Sequence, residues 1–316
     1  MMYLPEGLLS KTPENMNALK SIATLKDAAQ NQRILESTAI LCDNDHNLIV
    51  DLGDLKGIIP RNEGAIGIAE GTTRDIAMIS RVNKPVCFVI TEFRDDGTVL
   101  LSRKRAQELC RKHYINHLNA GDVIRAITTH FEPFGCFVDI GCGVASLIPI
   151  DAISVSRISH PKDRFKTGQE IFVIVKSIEP NGRICLSHKE LLGTWEENVS
   201  NFSAGETVGG IVRSVEPYGI FVELTPNLAG LAEYKPDVCV GQNASVYIKS
   251  LIPEKMKVKL IIVDSFDDTR APIPLQYYIT QGNMQEWRYS PDVCNKLIET
   301  KFTGDITCCN YPTFGD

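Results

Sequence analysis

The 316-residue chain has no apolar run near the roughly 20 residues needed to cross a bilayer as a helix, so no membrane partner is expected. It has no CxxC pair, and Cys42 with His46 has no second pair nearby, so neither zinc nor another metal is expected. Cysteines such as Cys87, Cys136, Cys185 and Cys239 lie in strand-like segments rather than framing the loops of a short secreted chain, and read as reduced thiols. Met1 to Ser10 lacks a basic stretch followed by an apolar one, so no secretory signal is read there and a cytoplasmic location is expected. There is no Walker loop, no GxSxG elbow and no carboxylate pair with a metal pattern, and Gly141-Cys142-Gly143 alone is no dinucleotide fingerprint. The chain therefore reads as non-enzymatic and without a cofactor. It also lacks an excess of positive charge. A net charge of -6 argues against a simple basic phosphate binder.

The distribution of that charge is more informative than its sum. Residues 33–100 carry -4 and 264–316 carry -4, whereas 101–120 carry +4, and 121–190 and 204–263 are each neutral. Those last two segments also contain a repeat: Glu132-Pro133-Phe134-Gly135-Cys136-Phe137-Val138-Asp139 returns 84 residues later as Glu216-Pro217-Tyr218-Gly219-Ile220-Phe221-Val222-Glu223. Each block follows a Gly-acid opening at the same offset, Gly121-Asp122 and Gly205-Glu206, so a whole unit is duplicated. A weaker copy precedes them. Asp51-Leu52-Gly53 with Gly57-Ile58-Ile59-Pro60 parallels Asp139-Ile140-Gly141 with Ser146-Leu147-Ile148-Pro149, and Asp96-Gly97 opens a run like that after Asn181-Gly182.

Short β-branched runs bounded by Gly, Pro and Asn predict five strands per unit, near 123–130, 136–140, 144–148, 171–178 and 183–187 in the second and in the same order in the other two. Five strands in about 70 residues fit a closed barrel of the OB type, because closure removes the edges so small a sheet would expose. The expected fold class is all-β dominated: three tandem five-stranded OB-type barrels joined by short helices, with an N-terminal helix and a small C-terminal ββα appendage. The expected boundaries are a helical segment 1–32, a degenerate barrel 33–104, a basic linker helix 105–119, a barrel 120–190, a linker 191–203, a barrel 204–263 and the appendage 264–316. In the N-terminal segment Thr12-Pro13 caps a helix with Met16, Leu19, Ile22 and Ala23 on one stripe. In the appendage Ile273 to Ile279 and Met284 to Tyr289 read as strands, and Ser290-Pro291 as a helix start.

The blocks Pro133-Phe134-Gly135-Cys136-Phe137-Val138, Arg164-Phe165-Lys166-Thr167-Gly168-Gln169 and Arg183-Ile184-Cys185-Leu186-Ser187 resemble the signature of the S1 RNA-binding domain, and the array as a whole resembles the bacterial ribosomal S1 proteins and shorter S1-like proteins. The likeness covers 121–190 best, then 204–263 and 33–104, and stops before 264. It implies OB barrels that hold single-stranded RNA, with mRNA and proteins of the 30S subunit as expected partners. The chain departs from that family where a His usually follows the third strand: Pro149 and Glu233 stand there instead.

Single-stranded RNA is held by aromatic faces on which bases stack and by basic groups that follow the phosphates. The candidates are Phe134, Phe137, Arg125, Arg164, Lys166, Lys176 and Arg183 in the second barrel and Tyr218, Phe221, Arg213 and Lys249 in the third, with Lys257 and Lys259 also in reach. Phe137 and Phe221 are also the rings with the better claim to be barrel core, and any single Arg or Lys could equally be a solvated surface charge. In the first barrel His46 and Ile49 stand at the aromatic positions, so that barrel is expected to meet protein. A free regulatory RNA-binding protein and a protein-binding scaffold with reduced RNA affinity are the alternatives.

Overall fold

A computed structural model describes residues 3–180, 182–267 and 275–302. Fifteen strands close into three barrels. The first contains β1 (Leu35–Cys42), β2 (Leu48–Leu52), β3 (Leu55–Ile59), β4 (Lys84–Phe93) and β5 (Thr98–Ser102); the second β6 (Val123–Glu132), β7 (Gly135–Asp139), β8 (Ala145–Pro149), β9 (Glu170–Ile178) and β10 (Ile184–Ser187); the third β11 (Thr207–Glu216), β12 (Gly219–Thr225), β13 (Leu228–Ala232), β14 (Asn243–Ile252) and β15 (Lys257–Phe266). All three share one order, in which the first strand lies between the second and fourth and the third lies beside the fifth. The third and fifth run parallel in every barrel, which closes the cylinder. The chain divides into two compact units. The first takes in the first barrel and its flanking helices together with Arg125–Ile127 and Asp139–Ala145, and the second takes in Asn119–Ile124, Thr128–Val138 and the chain from Ser146 onward.

In the first unit the N-terminal segment is two helices, α1 (Pro13–Ala18) and α2 (Ile22–Gln30), where one was expected. Thr12 Oγ1 caps the first, and a Ser21–Thr24 box starts the second. That restart at Ser21 breaks the expected stripe: Leu25 and Ala28 are buried, while Met16 and Ile22 are left exposed. A one-turn helix, α3 (Ile76–Ile79), lies between β3 and β4. The basic linker forms α4 (Arg103–His113), but its first arginine does not face solvent. Arg103 Nε and Nη2 donate to the buried Glu6 carboxylate at 2.6 and 2.8 Å, and Arg81 Nη1 adds a third donor at 3.1 Å. Burial alone would raise the Glu6 carboxyl; the two guanidiniums reverse that and hold it below its usual range.

In the second unit a continuous core joins Ile174, Leu191 and Trp195, the last opening α5 (Trp195–Val199), to Val212, Ile220, Val222 and Ile248 of the third barrel and to Trp287, Tyr289 and Phe302 of the C-terminal segment. That segment is not ββα. Its strands β16 (Glu286–Arg288) and β17 (Glu299–Lys301) pair antiparallel, and the expected helix after Ser290-Pro291 is a turn in which Ser290 Oγ accepts from the Ile298 amide at 2.8 Å. A helix there would present Val293 and Leu297, four apart, to no apolar partner; both are exposed. Residues 275–280 form no strand, and Ile273 lies outside the described residues. Among the described residues no helix is long and apolar enough to cross a membrane. Cys87, Cys136 and Cys239 are free thiols.

Candidate nucleic-acid interface

The repeated block folds the same way in the second and third barrels. Cys136 and Val138 are fully buried, so the alternation of a strand turns Phe137 between them outward; Ile220 and Val222 do the same for Phe221. Both rings are half-buried on the outer face and are not barrel core. The turn before each strand carries the second ring. Phe134 meets Phe137 edge-on at 6.1 Å and 84°, and Tyr218, 70% exposed, meets Phe221 at 6.2 Å and 85°. Gly135 and Gly219 make this possible, since a Cβ would lie 2.5 Å from the carbonyl oxygen of Ile148 in one barrel and of Ala232 in the other. One ring escaped the sequence reading: His130 on β6 stacks on Phe137 at 4.3 Å and 8°. Its signal was an aromatic residue just before the repeated block, and Ser214 stands at its place in the third barrel.

Strand register links basic residues to these rings. Around the third barrel Ser214 pairs with Phe221, Phe221 with Leu231, Leu231 with Lys259 and Lys259 with Ser250, one row on the outer face. At about 4.8 Å per strand, the backbone of Lys259 lies roughly 10 Å from that of Phe221 around the barrel. Lys249 is the extra residue of the β-bulge between Ile248 and Ser250, and Lys176 occupies the matching bulge between Val175 and Ser177 in the second barrel. A bulge re-aims its side chain, so one lysine is set at one place in both barrels. Arg183 and Lys257 are exposed at the starts of the fifth strands. Arg125 also faces outward but lies five residues along β6 from His130, roughly 17 Å away along the strand. Lys166 is exposed in a loop held to β6 by the Gly168 amide, which donates to the Thr128 carbonyl at 2.8 Å.

Arg164 and Arg213 are not on this surface. Arg164 is buried and grips both oxygens of the fully buried Glu223, at 2.6 and 2.8 Å, and Arg213 grips the same carboxylate from the other side at 2.9 and 3.1 Å. Burial would raise the Glu223 carboxyl, but the guanidiniums outweigh it and hold it below its usual range. Both arginines are occupied by one carboxylate: Arg164 joins the second barrel to the third, and Arg213 ties β11 to β12 within the third.

In the first barrel the same row reads Leu41, Ile49, Ile58, Leu100 and Glu92, and the bulge residue is Thr91. Thr98 stands where the other barrels have Arg183 and Lys257. His46 sits in a left-handed turn (φ 62°) with its Nδ1 3.9 Å from Asp75, whose carboxylate Arg61 holds at 2.7 and 3.1 Å. Rings and bases are missing together, while Ile40 and Leu41 are about half exposed (51% and 53%). Among the described residues no cluster of His, Cys, Asp and Glu could hold a metal ion.

The model of the S1 RNA binding domain family matches residues 117–189. A small ribosomal subunit protein bS1 homolog of Bacillus cereus is 32% identical over 272 residues, covering 80% of this chain and 69% of the relative. This chain belongs to the bS1 family. Its second barrel is the stretch that the S1 domain model picks out, and the other two barrels repeat that barrel's strand order. The bS1 proteins of Leuconostoc lactis and Staphylococcus haemolyticus are 32% and 30% identical over 58% and 71% of this chain, which spans 43% and 57% of their lengths. A solved multidomain protein with nucleic acid binding domains from Streptococcus pneumoniae aligns over 76% of each chain at 14% identity with a TM-score of 0.24, which adds nothing to the assignment.

Proposed function

We propose that this bS1-family chain is a non-enzymatic cytoplasmic protein that binds single-stranded RNA, including mRNA, on its second and third barrels, and that its first barrel meets protein at the small ribosomal subunit. The observation that carries the reading is the threefold comparison at equivalent positions. The second and third barrels present paired outward rings with lysines set by the same bulge; the first barrel replaces every one of these with an aliphatic, neutral or ion-paired residue. Stacking with phosphate neutralisation requires no base identity, so little sequence preference is expected. The aliphatic row of the first barrel, set in a segment of charge -4, suits a basic protein better than a phosphate backbone.

The test is a titration of the intact chain with a single-stranded and a duplex RNA at several salt concentrations, paired with sedimentation with small subunits. Affinity that falls with salt and favours the single strand supports the reading, because counterion release accompanies phosphate contact. Equal binding at all salts, or preference for the duplex, sinks it.

A further inference from the structure

We infer that His130, rather than Phe137, is the ring on which the second barrel stacks an unpaired nucleobase. The inference rests on this face being an RNA surface. His130 is exposed, and its imidazole covers one face of the Phe137 ring at 4.3 Å with the planes 8° apart. Phe134 stands against Phe137 at 84°. A ring stacked on one face and flanked at right angles by another is a buttress, and a base arriving from solvent over that covered face meets the imidazole first. The arrangement is fixed from the backbone: Thr129 Oγ1 donates to the Phe137 carbonyl at 3.0 Å, which ties β6 to β7 beside the two rings, and the same hydroxyl lies 3.4 Å from His130 Nδ1.

The third barrel lacks this device. Ser214 is the register partner of Phe221 and carries no ring, so among the described residues nothing stacks there as His130 stacks on Phe137. The two barrels therefore present different ends to a base: three rings including the exposed imidazole in the second, and two rings, the exposed Tyr218 phenol and the half-buried Phe221, in the third. Every base has a π-face, so each platform accepts any base.

The experiment uses the full chain carrying Tyr218→Ala, so that the second barrel dominates, and follows the anisotropy of a fluorescein-labelled oligoadenylate. Adding His130→Ala should weaken binding about five-fold or more, and His130→Phe should restore it, because a flat ring and not a particular heteroatom is required. Phe134→Ala in the same background reports on the RNA surface itself. If Phe134→Ala weakens binding while His130→Ala leaves it unchanged or tightens it, the base reaches Phe137 directly and the inference is wrong while the RNA reading stands. If His130→Phe is as weak as His130→Ala in a chain of unchanged melting temperature, the inference is also wrong. If neither Phe134→Ala nor Tyr218→Ala changes affinity, the RNA reading itself fails.

Discussion

Phe134 and Tyr218 sit in turns, the first half-buried and the second largely exposed, so truncating them removes stacking surface without opening a core. Each change to Ala should cost roughly 1 to 3 kcal/mol of RNA binding, and His46→Ala, at the same place in the first barrel, should cost little; titration of the three variants decides. Phe137 and Phe221 are half-buried between fully buried neighbours. Phe137→Ala or Phe221→Ala should therefore lower stability by about 1 to 2 kcal/mol in urea unfolding, less than the 3 to 5 kcal/mol typical of a phenylalanine removed from a core. The strand alternation already written in Cys136-Phe137-Val138 and Ile220-Phe221-Val222 pointed these rings outward, and treating an apolar ring in a barrel strand as core overlooked it. Arg164 and Arg213 could not be read from the sequence in this way. Their ion pairs join positions 59 and 10 residues from Glu223, and only the meeting of two barrels makes the first of them.

The connections between elements explain what sequence periodicity left out. The five-strand order was legible because each strand is short and punctuated by Gly, Pro or Asn, whereas the C-terminal segment draws its structure from what it packs on. It packs on the third barrel through Trp287, Tyr289 and Phe302, and it is tied as well to the second barrel and the connector. Tyr277 Oη lies 3.0 Å from His188 Nε2, the Tyr278 amide donates to the Leu191 carbonyl at 3.0 Å, and the Met284 amide to that of Gly121 at 2.9 Å. His188, fully buried, also has Nδ1 2.7 Å from the Ile153 carbonyl oxygen, and burial, helped by the nearby Arg164 charge, pulls its pKa down to about 4. A histidine depressed from its ordinary value near 6.5 is protonated more readily in the unfolded chain. Its contribution is full above pH 6.5 and is lost as pH falls toward 4, about 3 kcal/mol in all. Glu223 acts in the same direction, since a depressed carboxyl loses its stabilisation as pH falls through the folded value. Melting temperature should therefore drop between pH 6.5 and 4.5, with a shallower slope in His188→Gln; equal slopes would remove His188 as the cause. Glu223→Gln should destabilise by about 3 to 5 kcal/mol at neutral pH, because it leaves Arg164 buried without its countercharge.

Across the whole chain the three barrels share one topology and differ in what their outer rows carry, so binding should separate by barrel. Phosphate contact is measured by the dependence of affinity on salt. On a single strand each contact contributes about 0.7 to the slope of log affinity against log salt. Lys249 and Lys259 lie on the third barrel near the row through Phe221, so Lys249→Gln with Lys259→Gln should flatten the slope by about 1.4 if both meet phosphate. Thr91 and Leu100 stand at those positions in the first barrel, which has no such lysines to lose. That barrel offers Ile40 and Leu41 instead, two exposed aliphatic residues beside a β-bulge. Ile40→Asp with Leu41→Asp leaves the inward residues Ala39, Leu48 and Val50 in place, so the barrel should stay folded. The double change should weaken co-sedimentation with small subunits while leaving both the affinity for free single-stranded RNA and its salt slope unchanged. The converse variant, Phe134→Ala with Tyr218→Ala, should lose RNA affinity and keep its sedimentation with subunits. If the Asp variant loses RNA affinity as well, the first barrel shares in RNA binding and the division between barrels fails, since its outer row carries neither a ring nor a base to account for the loss.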